Sequence, residues 1–568
     1  LANERGNTLI TVLLVSLIFT ILGLAIVSAT INSNQRTGVR VDDIELTAEA
    51  TKNLNEAIAI FNTEILKDED EGGKILLSEQ NLNIGELDSN LGDISTDISE
   101  SYSKNKNHSL TITDITEDEK FGNIDKTKQL TRIFKFSYTI KNEDGANITK
   151  TVSRNIYLSP TPSFLNYAIG SGPDGIVDIN GAAEIRGDIF GGIINTEDTA
   201  YFIDDDSKNN EENISKGKTL YPQLGSNSED DRFLANVSFK KNINEVEDIP
   251  TILQDLDQYF YKNSYMTITK DTSEFIDVNF ENTLAQIFND LSGSKQFDGV
   301  NFGSTELAAH AVQTLMSNNA DIEQIAFCDQ NVTVSPKAYV YTSNVIQGDT
   351  CTNQLESSWF IVNGDLQIPR DTEIPGNIIV TGNLIIEGNN YEGNNISKDE
   401  DTEDDDVFFD STIYVVGTTR ISHTNIKSLD NPKAKLILMS KGNLFINRIN
   451  EFNSIKNVEP LDAFFYTDSD AELYGVGSLF RINGGLFAKK QLTINAIRQD
   501  SIERNAENKL GNEIDPVRRQ ETQASRFYVE YDKSVLLDPD RLSSLPRVDK
   551  YQILLDQQIV QDGEGKTD

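Results

Sequence analysis

Between Thr8 and Ile31 the chain reads TLITVLLVSLIFTILGLAIVSATI, 24 residues without a single charge. At about 1.5 Å per residue, a helix of this length reaches about 36 Å, enough to cross the hydrocarbon core of a bilayer. It has no polar face to turn to water, so it predicts a single membrane-spanning helix over 8–31. The rival reading is a cleaved secretory signal, because Val27-Ser28-Ala29 fits a small-residue cleavage site. The apolar run is longer than an ordinary signal core, which favours a retained span.

The helical pattern continues past the span. Ile44, Ala48, Thr51, Asn55, Ile58, Phe61 and Ile65 recur at spacings of three and four, and no proline interrupts Thr8 to Lys67. The sequence KDEDEGGK then ends the helix with four acids and two glycines. One rod of about 90 Å is expected, whose upper half, 32–67, is an amphipathic stalk that must bury its stripe.

The residues ERGNTLITVLLV resemble the processing region of type IV prepilins, a short leader ending in glycine followed by a long apolar helix. Over the first 65 residues, LGLAIVSATINSNQRTGVRVDDIELTAEATKNLNEAI resembles the PilX-type minor pilins of Gram-positive bacteria. The resemblance implies a cytoplasmic leader over 1–7, cleavage after Gly6 and a new N-terminus at Asn7. It also implies a cytoplasmic start with the bulk of the chain outside. Asn7 stands where major pilins carry phenylalanine, and Thr11 stands where they carry a glutamate. A carboxylate at that depth is costly unless a neighbouring subunit pairs it, so its absence points to a minor or initiating subunit, or to a membrane protein that never polymerises.

Beyond the stalk the texture changes. In 72–160 the segments HSLTITDI, LTRIFKFSYTI and TKTVSRNIYL alternate apolar and polar residues, which predicts a small antiparallel β head packed on the stalk. In 161–200 and 331–500 a short frame recurs: INGAAEI, VNGDLQI, VTGNLII, SKGNLFI and INGGLFA, with VGTTRI as a looser relative. Glycine allows a tight corner, and the apolar residues after it can stack along a coil axis, so a β-solenoid-like domain is expected. Ordinary Asn-Gly hairpins in a sandwich are the alternative. Residues 201–330 form an insertion with helical patterns and acidic loops. The C-terminal segment, 501–568, ends in QDGEGKTD, read as a disordered tail; its strand-YD-loop-Pro stretch and DAELYGVGSLFRINGGLFAKKQLTINAIR also resemble PilX-like proteins. The fold class expected is therefore mainly β with a long N-terminal helix.

Chemistry-bearing residues are few. The formal charge of −40, from 50 Lys+Arg against 90 Asp+Glu, excludes a nonspecific nucleic-acid binder and a basic lipid-docking surface. His108, His310 and His423 lie far apart, none with a second His or Cys at ligand spacing, and no GxSxG, HExxH or phosphate-loop motif is present. Cys328 and Cys351 flank two strand-like segments, and in an exported domain they predict one disulfide; two separate thiols are the alternative. The acid runs at 204–206, 229–231 and 399–406 lack the alternate-residue spacing of a calcium loop and read as solvated surface.

No catalytic, cofactor or metal site is expected. The function that emerges is that of a single-pass cell-membrane protein, a minor pilin or pseudopilin in a type IV pilus-like filament. Its expected partners are membrane lipid, other pilin-like subunits and the pilus assembly machinery. Two other classes stay open: an envelope protein or adhesin whose solenoid binds a surface ligand, and a solenoid-type polysaccharide hydrolase or lyase.

Overall fold

The computed structural model describes residues 4–67, 84–102, 107–118, 126, 131–141, 149–204, 213–227, 232–272, 275–318, 322–325, 338–341, 359–388, 406–429, 435–447, 449, 458, 460–499, 520–536, 544–546, 548, 551–555 and 559–562. The chain is mainly β, with a long N-terminal helix, and divides into two units: 1–160 with 549–568, and 161–548.

The first unit is an α/β head on a helix. Helix α1 runs Glu4–Ile65 and helix α2 Ile84–Tyr102. Strands β1 (His108–Asp114), β2 (Arg132–Lys141) and β3 (Thr149–Ser159) pair antiparallel, as their alternating patterns require. Two strands from the far end of the chain, Gln552–Leu555 and Ile559–Asp562, pair antiparallel with β3 and complete the sheet. Gln561 and Asp562 of the expected tail are therefore sheet residues; the last six residues lie outside those described. Ser159 lies opposite Gln552, so the whole second unit is inserted where a hairpin turn would otherwise join two neighbouring strands.

The second unit is a stack of parallel strands within a 22-stranded sheet. One ribbon runs through Trp359–Val362, Asn377–Val380, Ser411–Val415, Leu436–Ser440, Leu461–Thr467 and Phe480–Ala488, each parallel to the next. A second runs through Leu366–Pro369, Leu384–Glu387, Thr419–Ser422, Leu444–Asn447, Asp470–Gly475 and Gln491–Ala496. The early strands Ile169–Ser171 and Ile176–Gly181 pair onto the late strands Phe480–Ala488 and Gln491–Ala496, so the two sequence-distant β regions form one stack. Having entered beside its own late strands, the chain must travel back along the stack before its next turn can begin. Part of 201–330 makes that return. Phe275 stacks on Phe190 and Phe487, Phe280 meets Tyr414 edge-on, and Lys489 and Lys441 pair with Asp277 and Glu281 at 2.7 and 2.8 Å. This cover buries the outward face of the first ribbon, which explains continuous apolar runs such as LILMS and AFFYT in place of alternation.

The recurring frame marks one corner of this stack. Gly382, Gly417 and Gly442 each donate their N–H to the carbonyl of the preceding glycine, Gly364, Gly382 and Gly417, at 2.8, 2.9 and 2.9 Å. A Cβ on Gly382 would meet backbone atoms of Gly364 and Asp365 at 2.5 and 2.6 Å, so side chains are excluded there. VGTTRI, the looser relative, is thus a full member of the ladder. Two better sequence matches are not: Gly181 pairs with Ala496, and Gly484 pairs with Ala463, each with positive φ inside or at the end of a strand.

Lys435 holds the C-terminal part of this unit. Its side chain is 2 % exposed, donates to the Asn483 carbonyl at 3.0 Å and pairs with Asp532 at 2.6 Å. Burial pushes the Asp532 carboxyl up, but the Lys435 ammonium and two hydrogen bonds from Ser534 outweigh it and hold the group below its ordinary range.

Gly382→Ala should destabilise the large unit by about 1–3 kcal/mol, while Gly92→Ala, whose Cβ would meet nothing within 4 Å on α2, should stabilise the head by about 1 kcal/mol; thermal unfolding followed separately in the two units checks both. Asp532→Asn should cost about 2 kcal/mol at neutral pH. Because the folded carboxyl is depressed, that contribution is present above about pH 4 and is lost as pH falls through the folded value, so wild type and variant should converge in acid.

Candidate functional site

Helix α1 carries two different surfaces on one backbone. Around its apolar part the described side chains are exposed on every side, from 43 % at Val15 to 69 % at Phe19. The Thr20 hydroxyl needs no water: its Oγ1 donates to the Ser16 carbonyl at 2.8 Å, one turn back. Among the described residues no helix is long and apolar enough to cross a membrane. The described side chains of the 8–31 segment are 12–22, Leu24 and Val27.

The C-terminal part of α1 is a core element. Leu46, Ala50, Leu54, Ala57, Ile58, Phe61 and Ile65 are buried against β2, β3 and α2. Phe61 meets Phe134 and Phe136 edge-to-face at 5.5 and 5.2 Å. This corrects the stripe read from spacing. Ile58, Phe61 and Ile65 belong to it, but Ile44 is 68 % exposed, and Ala48 and Asn55 face outward. Thr51 and Asn55 are polar, and the more apolar phase through Leu46 and Leu54 takes the buried side.

Polar contacts fix the helix to the head. Lys150, nearly buried, pairs with Asp43 at 2.8 Å on the turn just before the buried stripe begins. Arg132 is fully buried and donates Nε to Asp88 of α2 at 2.5 Å. Burial pushes the Tyr138 hydroxyl up to about 12, beside His108 Nδ1 at 2.7 Å. Helix α2 was not foreseen, although Leu87, Leu91, Ile94 and Ile98 carry the helical period and are all buried.

Gly6 and Asn7 lie near the start of α1. Cys328 and Cys351 lie outside the described residues. His108, His310 and His423 stand on β1, on the helix Thr305–Asn318 and in a turn, and are not brought together. Of the acid runs, Asp406 is buried and committed to Lys427 at 2.5 Å and Asn425 at 3.2 Å; Asp204 ends the strand Thr199–Asp204, and the other acids lie outside the described residues. Among the described residues no group of three His, Cys, Asp or Glu side chains could hold a metal ion.

No family model matches the chain, and no curated protein matches it. Among solved structures the chain is similar to the competence-associated pilin ComZ from Thermus thermophilus, with 10% sequence identity and a TM-score of 0.24. That likeness covers 80% of this chain and 88% of ComZ.

Leu54→Ala or Phe61→Ala should lower head stability by about 3 kcal/mol, whereas Ile44→Ala should stay within about 0.5 kcal/mol. Chemical denaturation of the three variants separates the observed stripe from the spacing-based one.

Proposed function

We propose that this chain is a membrane-anchored, pilin-like structural protein, a minor pilin or pseudopilin of a type IV pilus-like filament. One observation carries the reading. A single continuous helix is bare and apolar at one end, where Val12–Leu22 is exposed, and built into an α/β head at the other. Water penalises the bare end, and a bilayer rewards it by about 0.3–0.6 kcal/mol for each Leu, Ile, Phe or Val. The same surface can pass from lipid to the apolar helices of neighbouring subunits at little cost, which is what an assembling subunit requires.

Thr11 leaves no buried charge that a neighbour must neutralise, so the subunit suits an initiating or decorating position. The parallel stack is read as a β-solenoid from its two ribbons of parallel strands, and in the chain it is inserted between two adjacent strands of the head sheet. The role is structural, without catalysis or cofactor. Its partners are lipid, other pilin-like subunits and the assembly machinery, and the charge of −40 disfavours nucleic acid.

The test is the mass of the N-terminal peptide of protein extracted from native membranes. A chain beginning at Asn7 is the expected result. A chain beginning at Thr30 or later, or an uncleaved leader, would overturn the pilin reading.

A further inference from the structure

One end of the parallel stack is left unfinished among the described residues. Its last strand, Met266–Lys270, runs parallel to Ala235–Ile243 and pairs in register with that strand alone. Ala235 donates its N–H to the Tyr265 carbonyl at 3.0 Å, and Asp271 donates to the Phe239 carbonyl at 2.8 Å. Alternate residues of a parallel strand face a given neighbour, so Tyr265, Thr267, Thr269 and Asp271 turn their backbone groups inward to it. Met266, Ile268 and Lys270 turn theirs to the outer edge, where no strand of the described residues meets them. Apolar side chains lie open around this edge. Leu234 and Tyr265 immediately precede the paired residues Ala235 and Met266 and are 40 % and 39 % exposed. Leu253, on the short helix Ile249–Gln254 that lies against the strand, is 54 % exposed. Met266 and Ile268 themselves are only partly buried on the core.

We infer that this edge pairs with the same edge of a second copy of the chain, antiparallel about a twofold axis at Ile268. Free edges are ordinarily blunted by charge, proline or a bulge. This strand reads Met-Thr-Ile-Thr-Lys, with β-branched residues at its centre and a single charge that Glu247 neutralises at 3.1 Å. The twofold register is self-complementary. Ile268 meets its own copy, Thr267 meets Thr269, and Met266 lies beside the aliphatic stem of Lys270. The residues whose backbone groups point outward thereby become the hydrogen-bonded pairs. Charge selects the occupant. A surface shaped for a basic partner would be acidic, whereas in a twofold contact each patch meets itself and its charge must be cancelled within the copy. On this strand it is cancelled: Lys270 pairs with Glu247, and on the neighbouring strand Lys240 pairs with Asp271 at 3.8 Å, in a chain of net charge −40. Exposed Asp255 and Asp257, on the turn that follows the short helix, leave like charge near the contact, so association should tighten as salt rises. The inference concerns the large unit alone and stands whether or not the subunit assembles.

The experiment follows the full-length protein in detergent micelles by sedimentation equilibrium, over a range of protein and salt concentrations. A reversible dimer is expected, weakened about tenfold or more in Lys270→Pro, which removes an outward-facing N–H without breaking an inward bond. Copies carrying Thr267→Lys with Thr269→Lys should be monomeric, and so should copies carrying Thr267→Glu with Thr269→Glu, because like charges then stand opposite each other. An equal mixture of the two should recover the dimer, and each variant should keep the far-UV circular dichroism of the wild type. A wild-type protein that stays monomeric, association untouched by all three variants, or a mixture that recovers no dimer overturns the inference. Growth into open-ended chains also overturns it and makes the contact head-to-tail.

Discussion

One helix carries two kinds of surface without a break in its backbone. Every N–H and C=O in the middle of α1 is satisfied within the helix, so the same rod can pass from an apolar surround to a protein core. What changes along it is only the side chains. Near Val12–Leu22 they are apolar except for Ser16 and Thr20, and from Leu46 onward they are apolar on one side. The ion pair of Lys150 with Asp43 stands just where the one-sided part begins. The head sheet, α2 and the two returning C-terminal strands are built around that one-sided surface, and each buries part of it or supports what does.

The large unit obeys a different constraint. A stack of parallel strands cannot cover its own last strand, so each strand depends on the next, and both ends of the stack need protein over them. This chain meets the requirement with an order that sequence does not suggest: its first strands pair with its last, and the segment between them returns along the outside. The return segment is held by aromatic contacts at Phe275 and Phe280 and by two lysine–carboxylate pairs. It makes the first ribbon a two-sided core. The second ribbon keeps a mixed outer side, with Arg420 and Phe445 exposed and Ile385 beside them.

Local patterns were legible, and long-range pairings were not. The apolar run, the strands β1 to β3 and the glycine corner at Gly364, Gly382 and Gly442 follow from residue type and spacing over a few residues. Gly417 was underrated because the apolar position two residues on is Thr419, which is nonetheless fully buried. Gly181 and Gly484 were overrated because a shared frame of letters does not fix which part of a coil it occupies. The stripe on α1 was placed on the wrong phase because Thr51 and Asn55 were counted with it. Helix α2 was hidden by its acids, serines and glycine, and the C-terminal strands by a partner some 400 residues earlier in the chain. The buried Ser422 hydroxyl and Asn447 Oδ1, without hydrogen-bond partners among the described residues, have no sequence signature at all: only the structure reveals them.

The central proposal is that α1 passes from lipid to protein core as one helix. Spin labels placed singly at positions 14, 18, 22, 44 and 57 of the protein in bilayers, read by oxygen and nickel-chelate accessibility, test it most directly. The account predicts that 14, 18 and 22 are oxygen-accessible and shielded from nickel, that 44 is open to nickel, and that 57 is closed to both. Nickel access at 18 equal to that at 44 would contradict it.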